Sequence, residues 1–174
     1  PGRVAGLALL GTDPRPDTPE MIALRTSAIG LFAQGKVREV IEPNTAMAFH
    51  PDNAPALAGR YLDFVLGAGA QQLIRQNRAA PPRPDEGPHL AKLGCPGVVM
   101  CWDPDRLTPP ERSREIVERV PQAKFVLVPR CGHMLTMERP DVVNAALVEW
   151  LAGTWGSLRS PPAYGNAGSE RGRS

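Results

Sequence analysis

The chain has 174 residues, enough for one domain of ordinary size or a piece of a larger one. Apolar residues at 42% and charged residues at 22% provide for a core and exclude wholesale disorder. Lys and Arg number 20 against 18 Asp and Glu, and a net charge of +2 makes no electrostatic case for nucleic acid or an anionic membrane as partner. No stretch reaches the roughly 18 consecutive apolar residues of a membrane helix. Pro1-Gly2-Arg3-Val4 reads neither as a signal peptide nor as a natural start. Cys95, Cys101 and Cys131 fit no metal spacing and argue against a disulfide framework, so a reducing cytoplasm is the default location.

Val4–Leu10 is apolar on both faces and reads as a buried strand of a parallel sheet. Gly11 to Asp17, with two prolines, is a loop. A helix follows, with Thr18 as cap, Pro19 in its first turn, an apolar stripe of Met21, Ile22, Leu24, Ala28, Ile29 and Phe32, and Gly35 as its stop. Three more helices are expected over Lys36–Ile41, Ala54–Leu66 and Ala70–Ala80, closed by the prolines at 81, 82 and 84. No strand signal interrupts them.

Beyond residue 90 the pattern changes. Gly97–Cys101 is a second short apolar strand. Thr108-Pro109-Pro110-Glu111 has the form of a capping box opening a helix whose buried side is Ile116, Val117 and Val120. Phe125–Val128 is a third strand. A last helix starts at Pro140, with Val142, Val143, Ala146, Leu147, Trp150 and Leu151 facing a sheet. Strand, helix, strand, helix with short links is the order of a parallel α/β sheet. In residues 156–174 ten of 19 residues are Gly, Ser or Pro, so this segment reads as a disordered tail.

Chemistry gathers at one edge of such a sheet, past the carboxyl ends of its strands. Trp102-Asp103-Pro104-Asp105 follows the second strand, and Arg130-Cys131-Gly132-His133 follows the third. Asp105 and His133 are 28 positions apart in sequence but leave neighbouring parallel strands at the same end. A carboxylate accepting the Nδ1–H of imidazole fixes its tautomer and stabilises imidazolium, leaving the other nitrogen to take a proton from a nucleophile. Gly132 suits a tight turn that aims the ring. Asp103 is the rival acid. His50 and His89 read as structural or solvent-facing.

These segments together are similar to one family. Cys95–Cys101, Asp105-Arg106-Leu107-Thr108-Pro109, Gly132-His133 followed by Glu138-Arg139-Pro140, and Val143–Leu151 resemble the C-terminal half of an α/β-hydrolase, in particular its esterase and enol-lactonase-like branch. The opening Arg3–Thr12 resembles the strand after that family's nucleophile helix. The resemblance covers roughly residues 2–151. It implies an α/β fold with a partial hydrolase sheet of parallel strands and flanking helices plus a helical cap. The implied domains are a core strand and loop over 1–17, the cap over 18–89, the rest of the core over 90–155, and the tail. It implies Asp105 as triad acid and His133 as triad base, in the family's chain order, with Asp105 preferred to Asp103 because it stands three residues before Thr108-Pro109. It implies a small ester or lactone as substrate and no metal or organic cofactor; it sets no oligomeric state.

The sequence departs from the family at two places. No Gly-x-Ser-x-Gly is present: Ser27 and Ser113 fall in helices, and Ser157, Ser160, Ser169 and Ser174 in the tail. The nucleophile is therefore expected about 20 residues before Pro1, on a chain truncated at its N-terminus. The fragment by itself is expected to be inactive and marginally folded, with an unpaired sheet edge at Val4–Leu10. Trp102-Asp103-Pro104 stands where the family has a Gly-rich turn, and a Trp there reshapes the pocket. Leu24, Ile29, Phe32, Tyr61 and Phe64 are candidates for a pocket wall or for plain helix packing. A non-catalytic binding module or a degenerate remnant is the alternative; within the fold, so are an acyltransferase, a carbon–carbon hydrolase and a dehalogenase.

Overall fold

A computed structural model describes residues 3–103 and 105–159, with side chains through residue 154. Three parallel strands, β1 (Leu7–Leu10), β2 (Gly97–Asp103) and β3 (Ala123–Pro129), form a sheet in the order β1-β2-β3. Leu7 pairs with Gly97 and Gly97 with Ala123, and the ladder between β2 and β3 runs on to Asp103 and Pro129. β1 starts three residues later than its apolar run suggests. Leu7 donates its N–H to the Pro96 carbonyl at 3.0 Å, and Pro96 has no N–H with which to carry the ladder further back. Among the described residues β1 is paired on one side only.

The two faces of β2 sort its side chains by alternation. Val98, Met100 and Trp102 join Val128, Cys131, Leu135, Val143 and Ala146 in one buried cluster; Val99 joins Leu90, Ile116 and Val120 in another. Helix α6 (Pro140–Arg159) covers the first face and α4 (Pro110–Arg119) the second. On α6 the buried line is Val143, Ala146 and Thr154, so Leu151, placed on the inner face from the sequence, is 44% exposed. It lies a full 100° step past Trp150.

Between β1 and β2 lies a helical layer. Helix α1 (Pro19–Ala33) begins as expected: the Thr18 hydroxyl accepts the Met21 N–H at 3.3 Å, Pro19 opens the first turn, and Gly35 follows the end at φ +81°. Helix α2 (Val37–Ile41) runs into a 3-10 turn over Glu42–Ala48 that sequence reading does not separate. Pro43 removes an N–H there and favours the tighter turn. Helix α3 (Ala54–Ala79) contains both expected helices, with Gly69 between them at φ 78° and ψ 160°, outside helical geometry. Phe32, Val37, Val65, Leu73 and Ile74 form the core of this layer. The α1 stripe is buried only in its second half: Met21, Ile22 and Leu24 are exposed.

Two expectations about helix ends are corrected. Thr108 does not cap α4. The helix starts at Pro110 with Pro109 as cap residue and no side-chain cap bond, because the Thr108 N–H is taken by Asp105 Oδ1 and Pro109 has no N–H for a capping box to satisfy. Helix α6 continues through Arg159, four residues into the segment read as a disordered tail, since extending an existing helix needs no new nucleus. The rest of that tail, 160–174, lies outside the described residues. A last short helix, α5 (Leu135–Glu138), was not legible in sequence. No helix among the described residues is long and apolar enough to cross a membrane.

Candidate active site

Asp105 and His133 meet. Parallel pairing of β2 with β3 brings the two following loops side by side, and the Arg130 N–H bonds the Asp103 carbonyl at 3.0 Å to hold them there. His133 Nδ1 lies 3.0 Å from Asp105 Oδ2. The other carboxylate oxygen accepts the N–H of Leu107 at 2.8 Å and of Thr108 at 2.9 Å. Both oxygens are thus engaged and the side chain is 1% exposed, against 30% for His133. A carboxylate buried and held by its own loop is fixed before any ligand arrives. Among the described residues nothing bonds Nε2 of His133. Asp103, the rival acid, is exposed at the end of β2 and contributes its carbonyl instead.

The turn that carries the imidazole is built differently from the sequence expectation. The residue with positive φ is Arg130, at 54°, whereas Gly132 is not in the left-handed region. Arg130 is tied by its guanidinium to Asp52 at 2.6 Å. Gly132 is required because a Cβ there would overlap the backbone of Phe49 and His50. The Gly132 N–H is accepted by Glu138 Oε1 at 2.8 Å, and the Met134 N–H by the Ala48 carbonyl at 3.0 Å. Sequence reading singled out neither contact; the only trace was Glu138 standing five residues after His133 in the recognised motif.

Trp102 does not stand open in the site. It is 2% exposed in the sheet core and meets the His133 ring edge-on. Cys131, fully buried beside the turn, has its thiol pushed up to about 12 by burial and by the Glu138 charge. His50 accepts the Asp52 N–H on Nδ1 and His89 pairs with Glu86; neither bonds the Asp105 carboxylate. Ser27 sits on α1 and Ser113 is buried on α4. Of the pocket-wall candidates, Ile29, Phe32 and Tyr61 pack within the helical layer while Leu24 and Phe64 are exposed. Among the described residues no three His, Cys, Asp or Glu side chains cluster as a metal site. An open cavity of about 550 Å³, lined by Met47, Pro51, Ala54, Pro55, Ala58 and Arg106, lies between the helical layer and the Asp105 loop. A second, of about 280 Å³, is lined by Leu7, Leu9, Leu90 and Ile116 and touches neither Asp105 nor His133.

A parallel sheet flanked by helices, with an acid–imidazole pair at the carboxyl end of its strands, defines an α/β fold of the hydrolase type. The model of the alpha/beta hydrolase family matches residues 3–146, and the chain belongs to that family. It superposes on a thermophilic esterase from Thermogutta terrifontis with a TM-score of 0.82 and 28% identity, covering 87% of this chain and 57% of that one. The enol-lactonase of Burkholderia xenovorans LB400 shares the fold, with a TM-score of 0.75 and 19% identity over 86% of this chain and 57% of its own. RutD of Caulobacter sp. (strain K31), by name a carbamate hydrolase, is 36% identical over 64 residues, 37% of this chain and 24% of that protein. The chain therefore spans little more than half the length of these solved relatives.

Proposed function

We propose that this chain supplies the acid and base of a serine hydrolase acting on small carboxylic esters or lactones, and that the nucleophile and oxyanion donors come from outside these 174 residues. The observation that carries the reading is the His133–Asp105 pair at 3.0 Å, buried on the acid side and open on the imidazole side. In the reaction a serine hydroxyl attacks the carbonyl carbon while its proton passes to Nε2 of His133. Asp105 stabilises the imidazolium. The same proton then goes to the leaving alkoxide as the acyl-enzyme forms, and water repeats the sequence to release the acid. The ester class follows the Thermogutta esterase, whose identity to this chain is 28%. Residues 18–89 act as the cap that selects the substrate, over a core of 1–17 and 90–155. The groove beside Arg106 is where that cap and core leave room.

The chain alone has no Gly-x-Ser-x-Gly and is expected to turn over no chromogenic short-chain ester. The gene is expected to encode that motif in frame ahead of Pro1. The protein extended to include it is expected to be an esterase that Asp105→Ala slows by about 10⁴-fold and His133→Ala by more, on the order of 10⁶-fold. His133-dependent turnover by the chain alone, or an upstream stop codon, defeats the reading; the stop codon leaves a binding module or remnant.

A further inference from the structure

We propose that Glu138 is a positioning residue that sets the direction of His133 and couples it to the helical layer; this rests on the reading of His133 as the base. Three N–H donors converge on its carboxylate. Oε1 accepts from Gly132, one residue before His133, at 2.8 Å. Oε2 accepts from the His50 backbone at 3.0 Å and from Asn53 Nδ2 at 2.7 Å, both on the segment that leads into α3. The Met134 N–H reaches the Ala48 carbonyl, and Gly132 has no space for a Cβ against Phe49 and His50, so the two segments lie in direct contact. The ion pair of Arg130 with Asp52 closes the same junction.

The chemistry of the junction asks for a carboxylate. All three partners are donors, so an acceptor is needed at both oxygens, and an amide would set its own NH₂ against either Gly132 or the His50–Asn53 pair. Charge also strengthens each of these bonds relative to a neutral acceptor. With the Gly132 N–H fixed, the backbone entering His133 has one orientation, and the ring reaches Asp105 without searching for it. A displacement of the 48–53 segment would be felt at the imidazole through one side chain, so occupancy of the groove lined by Met47, Pro51 and Ala54 is linked to the aim of the base.

The test is NMR on the whole 174-residue chain, with no ester present, so its outcome is independent of whether the extended protein is an esterase. In the wild type the Gly132 and His50 amides are expected to exchange together, well slowed relative to exposed loop amides. In E138Q the Gly132 amide is expected to lose at least about tenfold in protection, and the low-field Nδ1–H resonance of His133 to broaden away. E138D, which keeps two charged acceptors, restores part of both signals. E149Q, which removes an exposed carboxylate on α6, changes neither. A folded E138Q with both signals intact and only a lower unfolding temperature reduces Glu138 to a fold stabiliser and overturns the proposal. If E138Q does not fold, the wild type decides: Gly132 and His50 amides that exchange as fast as open loops, or at rates more than about tenfold apart, overturn it equally.

Discussion

The indole of Trp102 stands edge-on to the imidazole of His133, ring centroids 6.0 Å apart and planes at 62°. One residue belongs to the sheet core and the other pairs with Asp105, and they touch because β2 alternates: Val98, Met100 and Trp102 point to the face that α6 covers. The aromatic wall limits where the imidazole can turn, and Asp105 Oδ2 faces its Nδ1 at 3.0 Å. What sequence alone presents as an intrusion into a Gly-rich turn is a floor beneath the pair.

That floor depends on Gly11. Its φ is +56°, and a Cβ there would overlap the Trp102 ring. Gly11→Ala combines the roughly 1–2 kcal/mol cost of a left-handed non-glycine residue with overpacking of about 1–3 kcal/mol. The urea midpoint is expected to fall accordingly at an unchanged m value. A midpoint within error of the wild type would show that Trp102 gives way freely and fixes nothing above it.

Asp105→Asn separates the two duties of the carboxylate. The amide oxygen can still accept from Leu107 and Thr108, as Oδ1 does now at 2.8 and 2.9 Å, so the loop should hold. The NH₂ group then faces Nδ1 of His133, which must become an acceptor, and the ring moves to its Nε2–H tautomer. Imidazole ¹⁵N shifts read this directly. An unchanged tautomer in the variant would mean that Asp105 does not set the protonation pattern of His133.

Acid should loosen the base of the helical layer. Asp17 is held below the ordinary carboxylate value of 3.8, first by the hydrogen bond from Arg25 and then by the charges of Arg25 and Arg83, against an opposing effect of burial. Arg25 lies on α1 and Arg83 follows α3, at 2.5 and 3.2 Å, so one carboxylate ties the layer's entry to its exit. A depressed folded-state value contributes stability that is fully present above 3.8 and lost as pH falls through the lower value. Asp17→Asn is expected to lower the denaturant midpoint at pH 6, with the gap to the wild type closing below pH 3.8. A gap that persists undiminished at lower pH would rule out this ion pair as its source.

The three thiols should separate by reactivity. Cys101 is buried with its thiol raised by that burial, Cys131 is buried and pushed up to about 12, and Cys95 is half-buried beside β2. Because the thiolate is the reacting species, an alkylating reagent at pH 8 is expected to label Cys95 first. Cys101 and Cys131 should label only on unfolding, as mass spectrometry of digested protein would show. Rapid labelling of Cys131 in the native chain would contradict the closed turn before His133.

Much of the fold was legible because its signals are local. Thr18-Pro19 opens α1 through hydrogen bonds within one turn, Gly69 breaks α3 where the helical pattern lapses, and apolar runs mark β2 and β3. The site was half legible. Asp105 and His133 follow from two β-ends and a family motif, whereas Glu138 and Asn53 sit 85 positions apart and meet only in space. Where local reading erred, a competing group had the stronger claim, whether three residues away or across the sheet. Asp105 took the N–H of Thr108, and Pro96 ended the ladder of β1.

By itself the amino-acid order determined the period of each element and the residue types that reach the edge of the sheet, since periodicity and capping act over a few neighbouring residues. Only the tertiary structure decided that Gly132 exists to admit the Phe49–His50 backbone and that Trp102 lies under the imidazole. It also decided that one carboxylate on α5 bonds both the Gly132 N–H and the segment that leads into α3. Those relations depend on van der Waals contact and hydrogen-bond range between segments far apart in the chain, and no local pattern encodes such distances.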